Sequence, residues 1–127
     1  MKILVVDDER DLEALFRLRF RKEISRGKIE LLFAFSGEEA IDVLAENGKA
    51  DIVLVLSDIN MPGMTGIDLL EHIKNNPPPV PVCMMTAYDN DEYRGKAEAL
   101  NCDGYISKPI DFPNLKEEIQ KFRDETA

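Results

Sequence analysis

Four short stretches hold the residues able to do chemistry: Asp7-Asp8-Glu9 in "VVDDER", Asp58 in "LSDINMPGMTG", Thr86 in "MMTA" and Ser107-Lys108-Pro109 in "ISKP". Each stands at the end of an apolar run. An aspartate in that position ordinarily caps a turn, but Asp58 is followed at once by a loop holding Pro62, Gly63 and Gly66. Brought to one spot, Asp7, Asp8 and Asp58 repel one another, raise each other's pKa and destabilise the fold that assembles them. The arrangement therefore asks for positive charge. A hard divalent cation with oxygen ligands, Mg2+ first among them, meets that need, and Lys108 adds a second, fixed positive charge.

Such a convergence depends on the elements that carry these residues. Apolar runs alternate with helical patterns along the whole chain, which is the βα signature. Strands are predicted over Lys2–Val6, Ile29–Ala34, Ile52–Ser57, Val80–Thr86 and Gly104–Ser107. Leu12, Leu15, Phe16, Phe20 and Ile24 recur at helical spacing and predict one amphipathic first helix. The second helix is marked at both ends, by Ser36 and Glu39 in capping-box positions and by Gly48. Ile67, Leu70 and Ile73 mark the third helix, which contains His72, read as a surface residue. The fourth, in "DNDEYRGKAEALNC", holds Gly95 and few large apolar residues, so its propensity is poor and its docking light. Leu115, Ile119 and Phe122 mark the last helix, with Pro113 tolerated in its first turn. Pro77 to Pro79 read as a stiff loop before the fourth strand.

Continuously apolar strands, each followed by a helix, make an α/β fold: a doubly wound, five-stranded parallel sheet covered on both faces. In the strand order 2-1-3-4-5, strands one and three are neighbours, and ligands sit at the carboxyl ends of the strands. That order brings the three carboxylates together.

The 127 residues suffice for one domain with a substantial core, and residues 1–127 read as that single domain. A formal charge of −9 argues against direct binding to nucleic acid or to an anionic membrane, both of which need a basic footprint. No apolar run approaches the roughly 20 residues of a membrane span, and the start, "MKILVVDDERD", turns acidic too early for a signal peptide, so a cytoplasmic location is expected. Cys83 and Cys102 are too few and too isolated for a zinc cluster or a disulfide framework and read as buried or neutral thiols.

Together, "VVDDE", "SDINMPGMTG", "MMTA" and "ISKP" resemble, in order and spacing along the whole chain, the signature of the receiver domain of two-component response regulators. The resemblance implies a flavodoxin-like (βα)5 fold and a phosphoacceptor at Asp58, converted to an acyl phosphate by a histidine kinase or a histidine phosphotransfer domain. It implies that Asp8, Asp58 and the Asn60 backbone carbonyl coordinate Mg2+, with Asp7 helping through water. Asp58 suits the nucleophile's role because a carboxylate is ionised at neutral pH without a base to activate it. Lys108 would neutralise the phosphoryl oxygens, while the Thr86 hydroxyl and the Ala87 backbone N–H donate to them. Pro62 and Gly63 would shape the loop that presents Asn60, and Gly66 would give the chain freedom before the third helix.

In that family the threonine swings toward the phosphate and an aromatic at the Tyr105 position turns inward. Thr86 and Tyr105 are therefore the expected switch, and the surface of the fourth helix, fifth strand and last helix is the expected output face toward a downstream domain or protein. The implied protein is a signalling module that takes part in its own phosphorylation and dephosphorylation rather than a turnover enzyme. A phosphorylation-independent interaction module is the alternative; its usual mark is loss of a key residue, and none is lost. A hydrolase of the haloacid dehalogenase type wants a second acid two residues after its nucleophile, where this chain has Asn60. A flavodoxin-type FMN binder wants a Ser/Thr/Gly-rich loop where this chain has Asp7-Asp8-Glu9-Arg10. Between Arg17 and Lys28, finally, basic residues crowd around Glu23; this is a solvated helix end or a docking patch for an acidic kinase or phosphotransfer domain.

Overall fold

The computed structural model describes residues 1–47, 51–77, 79–87 and 91–126. The strands β1 (Lys2–Val6), β2 (Glu30–Ala34), β3 (Ile52–Asp58), β4 (Val82–Thr86) and β5 (Gly104–Ser107) form one sheet in the order β2-β1-β3-β4-β5, with every pair parallel. The predicted order is the observed one. β4 begins at Val82 rather than Val80, because Pro81 has no N–H for the ladder and contributes its carbonyl alone, which accepts from the Val55 N–H at 2.9 Å.

Alternate side chains of each strand feed two separate cores, which is why the runs are apolar without a break. Ile3 and Val5 face one way with Leu54, Leu56, Cys83 and Met85; Leu4 and Val6 face the other with Val55, Val82 and Met84. The first core is covered by α1 (Asp11–Arg19), α2 (Arg21–Ser25) and α6 (Phe112–Thr126), chiefly through Phe16, Phe20, Phe112 and Leu115. The second lies under α3 (Gly37–Asn47), α4 (Gly66–Lys74) and α5 (Asp91–Ala99), through Ala40, Leu44, Leu69, Ile73 and Ala97.

The single first helix expected from the sequence is bent. Phe20, at φ −104° and ψ 12°, separates α1 from α2, although its N–H still donates to the Phe16 carbonyl and its own carbonyl accepts from Ile24, both at 2.9 Å. The bend falls where Phe16 and Phe20 stack at 5.8 Å and both meet Phe112 edge-on. These two rings fill the line of contact with the sheet, so Leu15, expected in the same apolar stripe, lies beside it and is 37% exposed.

Other elements follow their local signals. Ser36 Oγ accepts from the Glu39 N–H at 3.1 Å at the start of α3; Gly48 at its expected end lies outside the described residues, as does Pro78 of the proline loop. Thr65 and Asp68 form a full capping box at α4, each side chain accepting from the other's backbone N–H. His72 is half-buried on α4 beside Ile41 and Val80 rather than on the open surface. α5 fully buries Ala97 alone, in keeping with its expected light docking. Burial pushes the Cys83 thiol up to about 12 and also raises Cys102, so both are neutral thiols. No described helix is long and apolar enough to cross a membrane.

Candidate functional site

β1 and β3 lie side by side with Val6 opposite Ser57, so Asp7 and Asp8 leave one strand where Asp58 closes the other. Asp7 and Asp58 are buried, and Asp8 is exposed. One carboxylate oxygen from each lies within 4.8 Å of the other two. Lys108, just beyond β5, reaches in from across the sheet end: its Nζ is 2.5 Å from Asp7 Oδ2 and 3.6 Å from Asp58 Oδ2. The Glu9 N–H donates to Asp7 Oδ1 at 2.9 Å and holds that carboxylate from its other side. Lys108 is itself placed by its backbone, whose N–H donates to the Thr86 carbonyl at 2.8 Å, one step beyond the Thr86–Ser107 pair. The Lys108–Pro109 peptide bond is cis.

The charges follow from this packing. Burial pushes Asp58 up to about 6; Lys108 opposes the rise, Asp7 adds to it, the Ile59 N–H opposes it and Asp8 adds to it. For Lys108, burial works to lower the pKa, but the hydrogen bond to Asp7 and the charges of Asp58 and Glu9 prevail and hold it above the ordinary value. Three carboxylates thus gather beside one ammonium, which pairs with two of them, Asp7 and Asp58. An all-oxygen donor set with excess negative charge fits a hard divalent cation of the Mg2+ kind.

The loop after Asp58 is held close to the sheet. Ile59 is buried, and its carbonyl accepts from the Gly66 N–H at 2.8 Å. A Cβ on Gly66 would strike the Asp58 carbonyl oxygen and lie 2.8 Å from Ile59 Cα. Gly66 is therefore demanded by close approach, not by the backbone freedom expected for it. Gly63 does need that freedom, with φ at +74°. Asn60 is half-buried in this loop and Pro62 is exposed. One contact has no signal in the sequence: Glu38 Oε1 on α3 accepts from the Met64 N–H at 3.1 Å and pins the loop from the side. The two residues stand 26 positions apart, and no spacing rule links them.

Thr86 closes β4 and is fully buried, while Ala87 beside it is exposed. Tyr105 lies on β5 opposite Met84, half-buried, with the Arg94 guanidinium of α5 4.7 Å above its ring. The structure thus brings Asp7, Asp8, Asp58 and Lys108 into one cluster, sets Thr86 and Ala87 at the neighbouring strand end, and leaves Tyr105 on the flank.

The family profile of the response regulator receiver domain matches residues 3–120. The chain belongs to that family. This receiver is 36% identical over 123 residues to chemotaxis protein CheY-3 of Vibrio cholerae, covering 95% of the chain and 90% of that protein. It is 29% identical over 121 residues to sporulation initiation phosphotransferase F of Bacillus subtilis, covering 95% and 92%. Against response regulator protein PilR of Pseudomonas aeruginosa it is 31% identical over 91% of its own length but spans 24% of that protein. Among solved structures, a response regulator receiver domain protein from Clostridium thermocellum superposes with a TM-score of 0.86 at 26% identity, covering 98% of this receiver and 95% of that chain. A CheY-like receiver domain protein from Methanospirillum hungatei gives 0.84 at 29% identity, covering 98% and 94%. The receiver fold and its place in two-component signalling agree with the expectation from the four motifs.

Proposed function

We propose that this receiver takes a phosphoryl group onto Asp58 from a histidine kinase or a histidine phosphotransfer protein, with Mg2+, and passes the change to a downstream domain or protein. The observation that carries this reading is the clustering of Asp7, Asp8 and Asp58 at the carboxyl end of the sheet, with the Lys108 ammonium against Asp7 and Asp58. An Asp58 carboxylate oxygen attacks phosphorus, a P–O bond forms, and the P–N bond to the donor imidazole breaks with its electron pair left on nitrogen. The product is an acyl phosphate. Lys108 is held where it can meet the phosphoryl oxygens, and the Thr86 hydroxyl and Ala87 N–H are donors on the adjoining strand end. Asp8, Asp58 and the Asn60 carbonyl would hold Mg2+, with Asp7 assisting, and the bound ion would supply further neutralisation of the transferring group. Attack of water on phosphorus cleaves the P–O bond and returns the Asp58 carboxylate, so the module resets itself without being a turnover enzyme. The added charge of the phosphate biases Thr86 and Tyr105, and through them the surface of α5, β5 and α6.

Intact-protein mass after incubation with acetyl phosphate and Mg2+ tests the reading. A gain of about 80 Da, one phosphoryl group, is expected, and it is lost with chelator and in Asp58→Asn. No gain, together with failure to bind beryllofluoride, would put a phosphorylation-independent interaction module in its place.

A further inference from the structure

β2 ends in Ala34 and is followed by Phe35, Ser36 and Gly37, none of them charged, yet this connection touches both loops of the acidic site. On one side, the Ala34 carbonyl accepts from the Asp7 N–H at 3.1 Å, and the guanidinium of Arg10, two residues beyond Asp8, lies 4.3 Å over the Phe35 ring. On the other, the first turn of α3 grips the loop after Asp58. Glu38 Oε1 accepts from the Met64 N–H at 3.1 Å, and Met64 lies so close over Gly37 that a Cβ there would stand 2.7 Å from its Cγ and 2.9 Å from its Cβ. Ser36 fixes that turn by accepting from the Glu39 N–H. The gripped loop has little else to hold it. Its base is closed by the bond between Ile59 and Gly66, and Thr65 belongs to the capping box of α4. Between these, residues 60–64 have one hydrogen bond among the described residues, the one from Met64 to Glu38. Asn60 lies in this stretch.

We propose that residues 35–38 brace the two loops against each other, setting the gap between Asp8 and the Asn60 carbonyl, and that Glu38 is a positioning residue for Mg2+. The inference rests on the metal ligands proposed above and adds a residue that acts through the Met64 backbone. Mg2+ demands near-ideal octahedral geometry, so a ligand carried on a loosely held loop must be ordered when the ion binds, and that ordering lowers affinity. Glu38 orders the loop beforehand. A carboxylate in the first turn of a helix is favoured by the helix dipole whatever its direction, but the bond to Met64 fixes where this one points. Glutamine keeps an oxygen able to accept from Met64, whereas alanine does not. Phe35 serves the other loop, because its ring under Arg10 holds the chain just beyond Asp8.

Mn2+ in place of Mg2+ gives a direct reading, because the free ion is counted by electron paramagnetic resonance and Mg2+ displaces the bound ion in competition. The intact, unphosphorylated chain is titrated with Mn2+, and then with Mg2+ at fixed Mn2+. Glu38→Ala should weaken both ions about tenfold, and Phe35→Leu about threefold. Glu38→Gln should stay within about twofold of the native chain. Glu46→Ala, which removes the same charge from the far end of α3, should leave the affinity unaltered. In metal-free protein, amide exchange at Met64 should quicken in Glu38→Ala and not in Glu38→Gln. Circular dichroism melts verify that each variant is folded. Native affinity in Glu38→Ala or in Phe35→Leu, or equal weakening by alanine and glutamine at Glu38, would overturn the proposal and leave the metal site standing. A native chain that binds no Mn2+, or an Asp8→Asn variant that binds it as tightly as the native chain, would remove the metal site itself and the proposal with it.

Discussion

Lys108 Nζ lies 2.5 Å from Asp7 Oδ2 and 3.6 Å from Asp58 Oδ2, so this ammonium is committed first to Asp7 and only second to Asp58. Lys108→Ala leaves Asp7 buried without its partner. In chelator we expect a loss of about 2–3 kcal/mol in denaturant unfolding, partly restored by Mg2+, which takes over the neutralising charge. Labelling by acetyl phosphate should slow by about a hundredfold. An unchanged labelling rate would remove Lys108 from the transfer chemistry.

The raised pKa of Asp58 sets a pH dependence with a definite sign. Only the carboxylate is nucleophilic, so in limiting Mg2+ the labelling rate should be flat above about 6 and fall with acid below it. Rates of mass gain between pH 5 and 8 read this directly, at roughly half-unit steps. A profile still flat at the acid end would contradict the buried, repelled state of this carboxyl.

The same shift acts on stability. The fold disfavours ionised Asp58, so the penalty is absent below the ordinary value of 3.8, grows as pH rises, and is complete above about 6. A rise of that size corresponds to at most about 3 kcal/mol. In chelator, Asp58→Asn should therefore stabilise the receiver at neutral pH by about 1–3 kcal/mol, and the gain should vanish near pH 4. Thermal melts of the two proteins across pH decide it.

Three glycines should respond differently to alanine. Gly66→Ala drives a methyl into the Asp58 carbonyl and Ile59, and should cost about 3 kcal/mol or more and disturb labelling. Gly63→Ala, at positive φ, should cost about 1 kcal/mol. Gly95→Ala meets open space within α5 and should stabilise by about 0.5–1 kcal/mol. Urea unfolding midpoints for the three variants should fall in that order.

If α5, β5 and α6 form the output face, phosphorylation of Asp58 should change amide exchange there and leave α1 unaltered. The one fully buried residue of α5 is the small Ala97, and Gly95→Ala should slow exchange in this helix before any phosphate is added. Exchange unchanged across α5 and β5 on phosphorylation would break the link between the site and Tyr105.

The strand order and the meeting of Asp7, Asp8, Asp58 and Lys108 were legible because they rest on short-range rules: continuous apolar runs, parallel crossovers and polar residues at strand ends. The capping of α3 was legible for the same reason. What escaped depends on pairs far apart in the chain. Glu38 holds Met64 across a loop, the bend at Phe20 occurs against Phe112, and the close approach that demands Gly66 involves a carbonyl whose position no periodicity encodes. Leu15 was misplaced because helical spacing defines a stripe but not its width, and two stacked phenylalanines took the contact line.

Cys83 and Met84 are consecutive in β4, yet they belong to cores on opposite sides of the sheet. The sheet thereby keeps repacking on one side from passing directly to the other. A change at Phe16 or Phe20 meets Phe112 and Leu115 of α6 on the same side, while Ala97 of α5 packs across the sheet from it. A surface built from α5, β5 and α6 therefore straddles both layers, and repacking on either side reaches one of its edges.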